Sequence, residues 1–178
     1  MKPIVFLITF LTFTITCIGQ TIEINQFGTS KLSRSSTQLS TSQITDFSKK
    51  KLHNSIPNPD LFGGNANVYN VGNVLISMNY RVIGRHVDTE KHLVKIKTAL
   101  DALMRDDNTY SSKIETINNK KFLITSQHER GGLLLIFYGL NEATSTSLNG
   151  SVQCAPEDEA EANATLHELL SNLKFKVQ

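Results

Sequence analysis

The sequence predicts an α+β fold, an α/β/α sandwich with a central antiparallel sheet covered by two main helices. Three observations carry this. Leu133-Leu-Leu-Ile-Phe-Tyr-Gly-Leu140 is apolar at consecutive positions, as in a strand covered on both faces. Two amphipathic stretches, Glu90–Arg105 and Pro156–Leu173, can supply the covers. The order of elements (strand pair, helix, strand meander, helix) is met most economically by one antiparallel sheet. The 178 residues suffice for one domain and hardly for two cores. A formal charge of +2 is too near balance for a nucleic-acid footprint.

The first nineteen residues read as an export signal. Lys2 gives a positive start, and nine of the twelve residues from Ile4 to Ile15 are apolar. The run is shorter than the roughly 20 residues a membrane-spanning helix needs. Small side chains at Cys17 and Gly19 place the expected cleavage between Gly19 and Gln20. A rival reading retains Cys17 as a lipidated N-terminus, although Thr14-Ile-Thr16 upstream fits a lipoprotein signal poorly. Cleavage removes one lysine and no acid, and leaves Cys154 as the single cysteine. An internal disulfide is then excluded, and Cys154 reads as a small buried hydrophobe rather than a nucleophile.

Residues 20–55 are expected to be a flexible N-terminal segment. Eleven of the twenty residues from Thr29 to Ser48 are Ser or Thr, and the few apolar ones show no sustained period. Before it, Thr21–Phe27 alternates like a short strand, and Asp46–Asn54 reads as one or two helical turns. The single domain is assigned to 56–178. It opens on turn chemistry from Ile56 to Gly64.

Val68–Val71 and Val74–Val82 flank Gly72-Asn73, which suggests a hairpin or a bulged strand, with Val74, Ile76, Met78, Tyr80 and Val82 on one face. Asp88-Thr89 caps the first main helix, whose stripe is Leu93, Ile96, Leu100, Leu103 and Met104. Lys113–Ile117 and Lys121–Glu129 flank Asn118-Asn119-Lys120, a second hairpin. Gly131-Gly132 leads into the apolar strand. Ser147–Cys154 reads as a weaker last strand, with a bulge or turn at Asn149-Gly150. Pro156 and the acids Glu157, Asp158, Glu159 and Glu161 suit the start of the second helix.

Catalytic signatures are few. His167-Glu168-Leu-Leu-Ser171 begins like the zinc-protease helix motif, but a serine stands where the second histidine must be. No Gly-x-Ser-x-Gly elbow occurs, nor a phosphate-binding loop or dinucleotide fingerprint. Arg81, Arg85 and His86 could form a basic patch after the first strand pair, with His128 and Arg130 at a hairpin end. These five residues are the candidate partner surface.

Taken together, Val71–Tyr80, Ile117–Ile124, Leu134–Tyr138, Leu148-Asn-Gly150 and the helix ending Leu169–Phe175 resemble the PsbP-like superfamily. That superfamily includes the DcrB-type periplasmic lipoproteins and small exported bacterial proteins of unknown function. The resemblance is one of element order and hydrophobic pattern over about 110 of the 178 residues. It implies a non-catalytic accessory role, without catalytic residues, metal or cofactor to carry over. The expectation is an exported binding protein of the bacterial envelope, periplasmic or secreted, with another envelope or secreted protein as partner. Its loops around Gly84–Asp88 and Glu129–Gly132, or a sheet edge, would hold that partner. Two alternatives stay open: a metal-assisted hydrolase using His86, His92 and His128, and a lipid-anchored scaffold through Cys17.

Overall fold

A computed structural model describes residues 20–24, 27–32, 35–52, 67–84, 87–129 and 132–176. The export signal, Cys17 and Gly19, the turn Ile56–Gly64, and Arg85, His86 and Arg130 lie outside these. Among the described residues the fold is α+β with sheet predominating. The chain order is β1 (Gln20–Ile24), β2 (Gly28–Leu32), β3 (Ser36–Gln38), α1 (Thr41–Lys51), β4 (Asn67–Val71), β5 (Val74–Val82) and α2 (Thr89–Leu103). It continues with β6 (Tyr110–Ile117), β7 (Lys120–Glu129), β8 (Gly132–Asn141), β9 (Thr146–Cys154), α3 (Glu159–Ser171) and β10 (Lys174–Phe175). A 3-10 turn at Pro156–Asp158 leads into α3. No helix among the described residues is long and apolar enough to cross a membrane.

Seven strands form one antiparallel sheet in the order β3-β4-β5-β9-β8-β7-β6. The hairpins arise from local chemistry. Asn118 and Asn119 take φ of 48° and 61°, the paired left-handed geometry of a two-residue turn that follows the sheet's twist. Asp88 caps α2 by accepting the Lys91 N–H at 3.0 Å.

One face of the sheet carries the main core. Ile76, Met78, Phe122, Ile124, Leu135, Phe137, Leu148 and Val152 meet Ala162, Leu166, Leu169 and Leu170 of α3. On this face Phe137 stands opposite Gly150, and Phe122 stands opposite Gly139. A Cβ at Gly150 would come within 2.2 Å of the Phe137 ring, and one at Gly139 within 2.7 Å of the Phe122 ring. Gly150 is therefore no bulge or turn. The register of β9 with β5 and β8 runs unbroken past it, and its missing side chain makes room for an aromatic ring.

The segment 20–55 departs from the expected tether. β2 pairs with β1 on one side and β10 on the other in a second, three-stranded antiparallel sheet. Ile22, Ile24, Phe27 and Leu32 are buried in the same core as α3. The physical reason is a period of two hidden among small polar residues: Gly28, Ser30 and Leu32 face inward. The Ser30 hydroxyl donates to the Leu169 carbonyl at 2.7 Å, filling a position left open near the helix end. The folded unit thus starts at β1 rather than near residue 56. α1 also begins earlier than Asp46, because Ser40 and Gln43 form a capping pair in which Gln43 accepts the Ser40 N–H at 2.8 Å.

The covers differ from two main helices as well. α3 and the small sheet share the first face. The second face has α2 packed over β6, β7 and β8, while Ile44, Phe47 and Leu52 of the α1 region meet Val68 and Leu75 at the other side. Between these two helices lies a strip of the central strands.

Candidate functional site

The exposed strip is set by register. Arg81, Ser147 and Leu140 stand side by side across β5, β9 and β8, and Asn79, Asn149 and Tyr138 form the next row. All six point to the second face, since directly opposed residues in an antiparallel sheet share a face. α2 passes above them. His92, Leu93 and Ile96 form one wall of a half-open cleft of about 520 Å³, with Val82 and Ile83 at its mouth.

Placement of that wall depends on the N-terminus of α2. Thr89 donates its N–H (3.0 Å) and hydroxyl (2.5 Å) to Glu142 in the β8–β9 turn, and Glu90 pairs with Lys121 of β7 at 2.7 Å. Carboxylates at this end also complement the helix dipole. At the far end, Asp101 accepts from Lys97, Ser112 and Tyr110, tying α2 to β6.

These contacts make the seat of α2 acid-sensitive. Asp88, Asp101 and Asp107 are all held below the ordinary carboxylate value of 3.8. The leading causes are the Lys91 backbone N–H for Asp88, the Lys97 ammonium for Asp101 and the Thr109 hydroxyl for Asp107. A carboxylate with a lower pKa folded than unfolded stabilises the fold above the unfolded value, and that contribution is lost as pH falls through the folded value. The melting temperature should therefore fall below about pH 4. Asp101→Asn should flatten that fall; an unchanged pH slope in this variant contradicts the assignment.

The lining combines apolar walls (Val82, Ile83, Leu93, Ile96, Leu140) with five polar side chains, Arg81, His92, Tyr138, Ser147 and Asn149. Among the described residues, no carboxylate lines it, and Arg81, His92, Tyr138 and Asn149 find no side-chain hydrogen-bond or ion-pair partner. Burial raises the pKa of the Tyr138 hydroxyl, which keeps its proton at neutral pH.

A second cleft, of about 650 Å³, opens between the N-terminus of α2 and the Asn119–Lys121 turn. Its charges are already engaged: Glu90 with Lys121, Asp88 with Lys91, Glu142 with Thr89, and Lys120 over the Phe175 ring at 5.4 Å. Asn141 is buried there, donating to the Phe27 and Lys176 carbonyls. These residues join the two sheets, whereas in the first cleft only the Ser147 hydroxyl, which donates to the Arg81 carbonyl at 3.4 Å, has a side-chain hydrogen bond among the described residues.

Of the expected partner surface, Arg81 is in the cleft. His128 is not, because it stands opposite Leu133 on the core side of the sheet, near the end away from Arg81. There its Nε2 lies 3.2 Å from Glu159 of α3. The loops around Gly84 and Gly132 likewise fall at opposite ends of the sheet. His92 faces the cleft and His128 the other side, so these two cannot share a metal ion. Among the described residues no group of three His, Cys, Asp or Glu side chains is arranged to hold one.

Cys154 is buried, and burial pushes its thiol up to about 11, so it stays protonated at neutral pH. Tyr138, Ser147 and Asn149 escape sequence reasoning. They reach Arg81 only through pairing between strands about 65 residues apart in sequence. The available signal is the alternation of polar Ser147, Asn149, Ser151 and Gln153 along β9 beside the apolar β8.

No protein-family model matches the chain, and no curated protein is similar to it.

Proposed function

We propose that the chain is an exported, non-catalytic binding or accessory protein of the bacterial cell envelope, holding another envelope or secreted protein through the cleft beside α2. The observation that carries this is the uncommitted polar set Arg81, His92, Tyr138 and Asn149 within apolar walls, beside a larger cleft whose charges are consumed internally. Groups left without partners on a preformed surface are the usual means of recognition.

The PsbP-like resemblance belongs to the same proposal. In that reading β4–β9 with α2 and α3 form the α/β/α sandwich, and the three-stranded sheet and α1 are additions. Export follows from the Lys2 and Ile4–Ile15 pattern, with mature protein beginning at Gln20.

Photo-crosslinking tests the reading. A photoreactive residue replaces Val82, 56% exposed at the cleft mouth, or Gln38, exposed on the far edge strand β3. In envelope extract the Val82 probe should capture one defined protein and the Gln38 probe should not. Equal capture by both probes, or none by either, would overturn the proposal.

A further inference from the structure

We propose that the cleft recognises the carboxyl-terminal end of its partner polypeptide, with the terminal carboxylate on Arg81 and an apolar last side chain against Val82, Ile83 and Ile96. The inference rests on taking the cleft as the binding site and names what the partner presents to it.

Charge decides the first part. Arg81 is the single permanent cation of the lining, and no lining acid offsets it. Among the described residues it forms no ion pair. A guanidinium presents a planar fork that a carboxylate meets with two hydrogen bonds, in a geometry that point-charge ligands do not match. The neighbouring polar groups are neutral donors: the Tyr138 hydroxyl and the Asn149 amide. One cation with neutral donors suits a single negative charge better than a phosphate dianion.

Polarity decides the second part. Five polar and five apolar side chains line the same cleft. A hydrocarbon tail would cover Asn149 and His92 and leave their polar atoms unpaired, which is unfavourable. A peptide end supplies backbone N–H and C=O groups to those positions and a side chain to the apolar wall. Strand addition cannot occur at the β9 and β8 parts of the floor, which have neighbours on both sides. The chain end lies over that floor, along α2. Capture of terminal carboxylates is an established mode of peptide recognition.

Fluorescence polarisation with the mature chain is the test. The probes are dye-labelled hexapeptides Gly-Ser-Gly-Ser-Ala-Xaa, with Xaa being Val, Leu, Ile or Phe, each made as free acid and as carboxamide. At least one acid should bind, its amide about tenfold or more weakly, and Arg81→Gln should reduce acid binding to the level of the amide. The same variant should leave amide binding unchanged, and Arg81→Lys should restore part of the preference. Equal binding of acid and amide, or an Arg81→Gln variant that keeps the preference, overturns the proposal. Decanoate that displaces the peptide at equal or lower concentration also overturns it, in favour of a small amphipathic carboxylate. If no peptide binds while the Val82 probe still captures an envelope protein, the ligand class is wrong and the binding-protein reading stands. If both fail, the cleft itself is misassigned.

Discussion

Gly150→Val is expected to destabilise the fold by about 3 kcal/mol or more, and Gly150→Ala by somewhat less. In an ordinary strand the sign would be opposite, because replacing an interior glycine by alanine recovers about 0.5–1 kcal/mol of backbone entropy. Here a Cβ would lie 2.2 Å from the Phe137 ring and 2.7 Å from the Ser77 carbonyl oxygen. Neither obstacle yields easily. Phe137 is fully buried between β7 and β9, and the Ser77 carbonyl belongs to the neighbouring strand's backbone. Urea unfolding would show the loss as a lower midpoint with unchanged slope. A Gly150→Ala protein as stable as the parent would mean that the ring does not occupy this space.

Removal of residues 20–55 should abolish cooperative folding. The sequence reading makes this a harmless trim of a tether, whereas the fold makes it an excision of core. Ile22, Ile24, Phe27 and Leu32 are each no more than 2% exposed and pack against α3 and the main sheet. At about 1.5–3 kcal/mol for each buried side chain, their loss amounts to roughly 6–12 kcal/mol. That is comparable to the whole stability of a typical domain, about 5–15 kcal/mol. β10 would lose β2, its strand partner among the described residues, and Phe175 its edge contact with Phe27 at 5.0 Å. A chain beginning at Ile56 should show weak near-ultraviolet dichroism and a broad urea transition. If it unfolds cooperatively within about 1 kcal/mol of the longer chain, the three-stranded sheet contributes little and the account of the core is wrong.

These two cases show where the sequence was legible. Elements that rest on local chemistry were readable: the Asn118-Asn119 turn, the Asp88 cap, the stripe of α3 and the apolar β8. β2 was obscured because two of its inward positions are Gly28 and Ser30, residues that look like linker. Ser30 is tolerated in the core only because the Leu169 carbonyl accepts from it, a contact across 139 residues of sequence. Gly150 was misread for a similar reason, since its role depends on Phe137 of the next strand. In the cleft, Arg81 and His92 could be singled out as charged or titratable side chains, but nothing local joins them. Register brings Arg81 beside Ser147 and separates it from His128, and register follows from pairings that single-segment patterns do not specify.

The claim that the cleft beside α2 is the binding surface is tested most directly by amide chemical-shift mapping. The ¹⁵N-labelled mature chain would be titrated with the protein captured at Val82. The account predicts that shifts concentrate at residues 81–83, 92–96, 138–140 and 147–149. Shifts confined to the β1 or β6 edges, or to the His128–Glu159 end of the sheet, with the cleft residues unmoved, would contradict it.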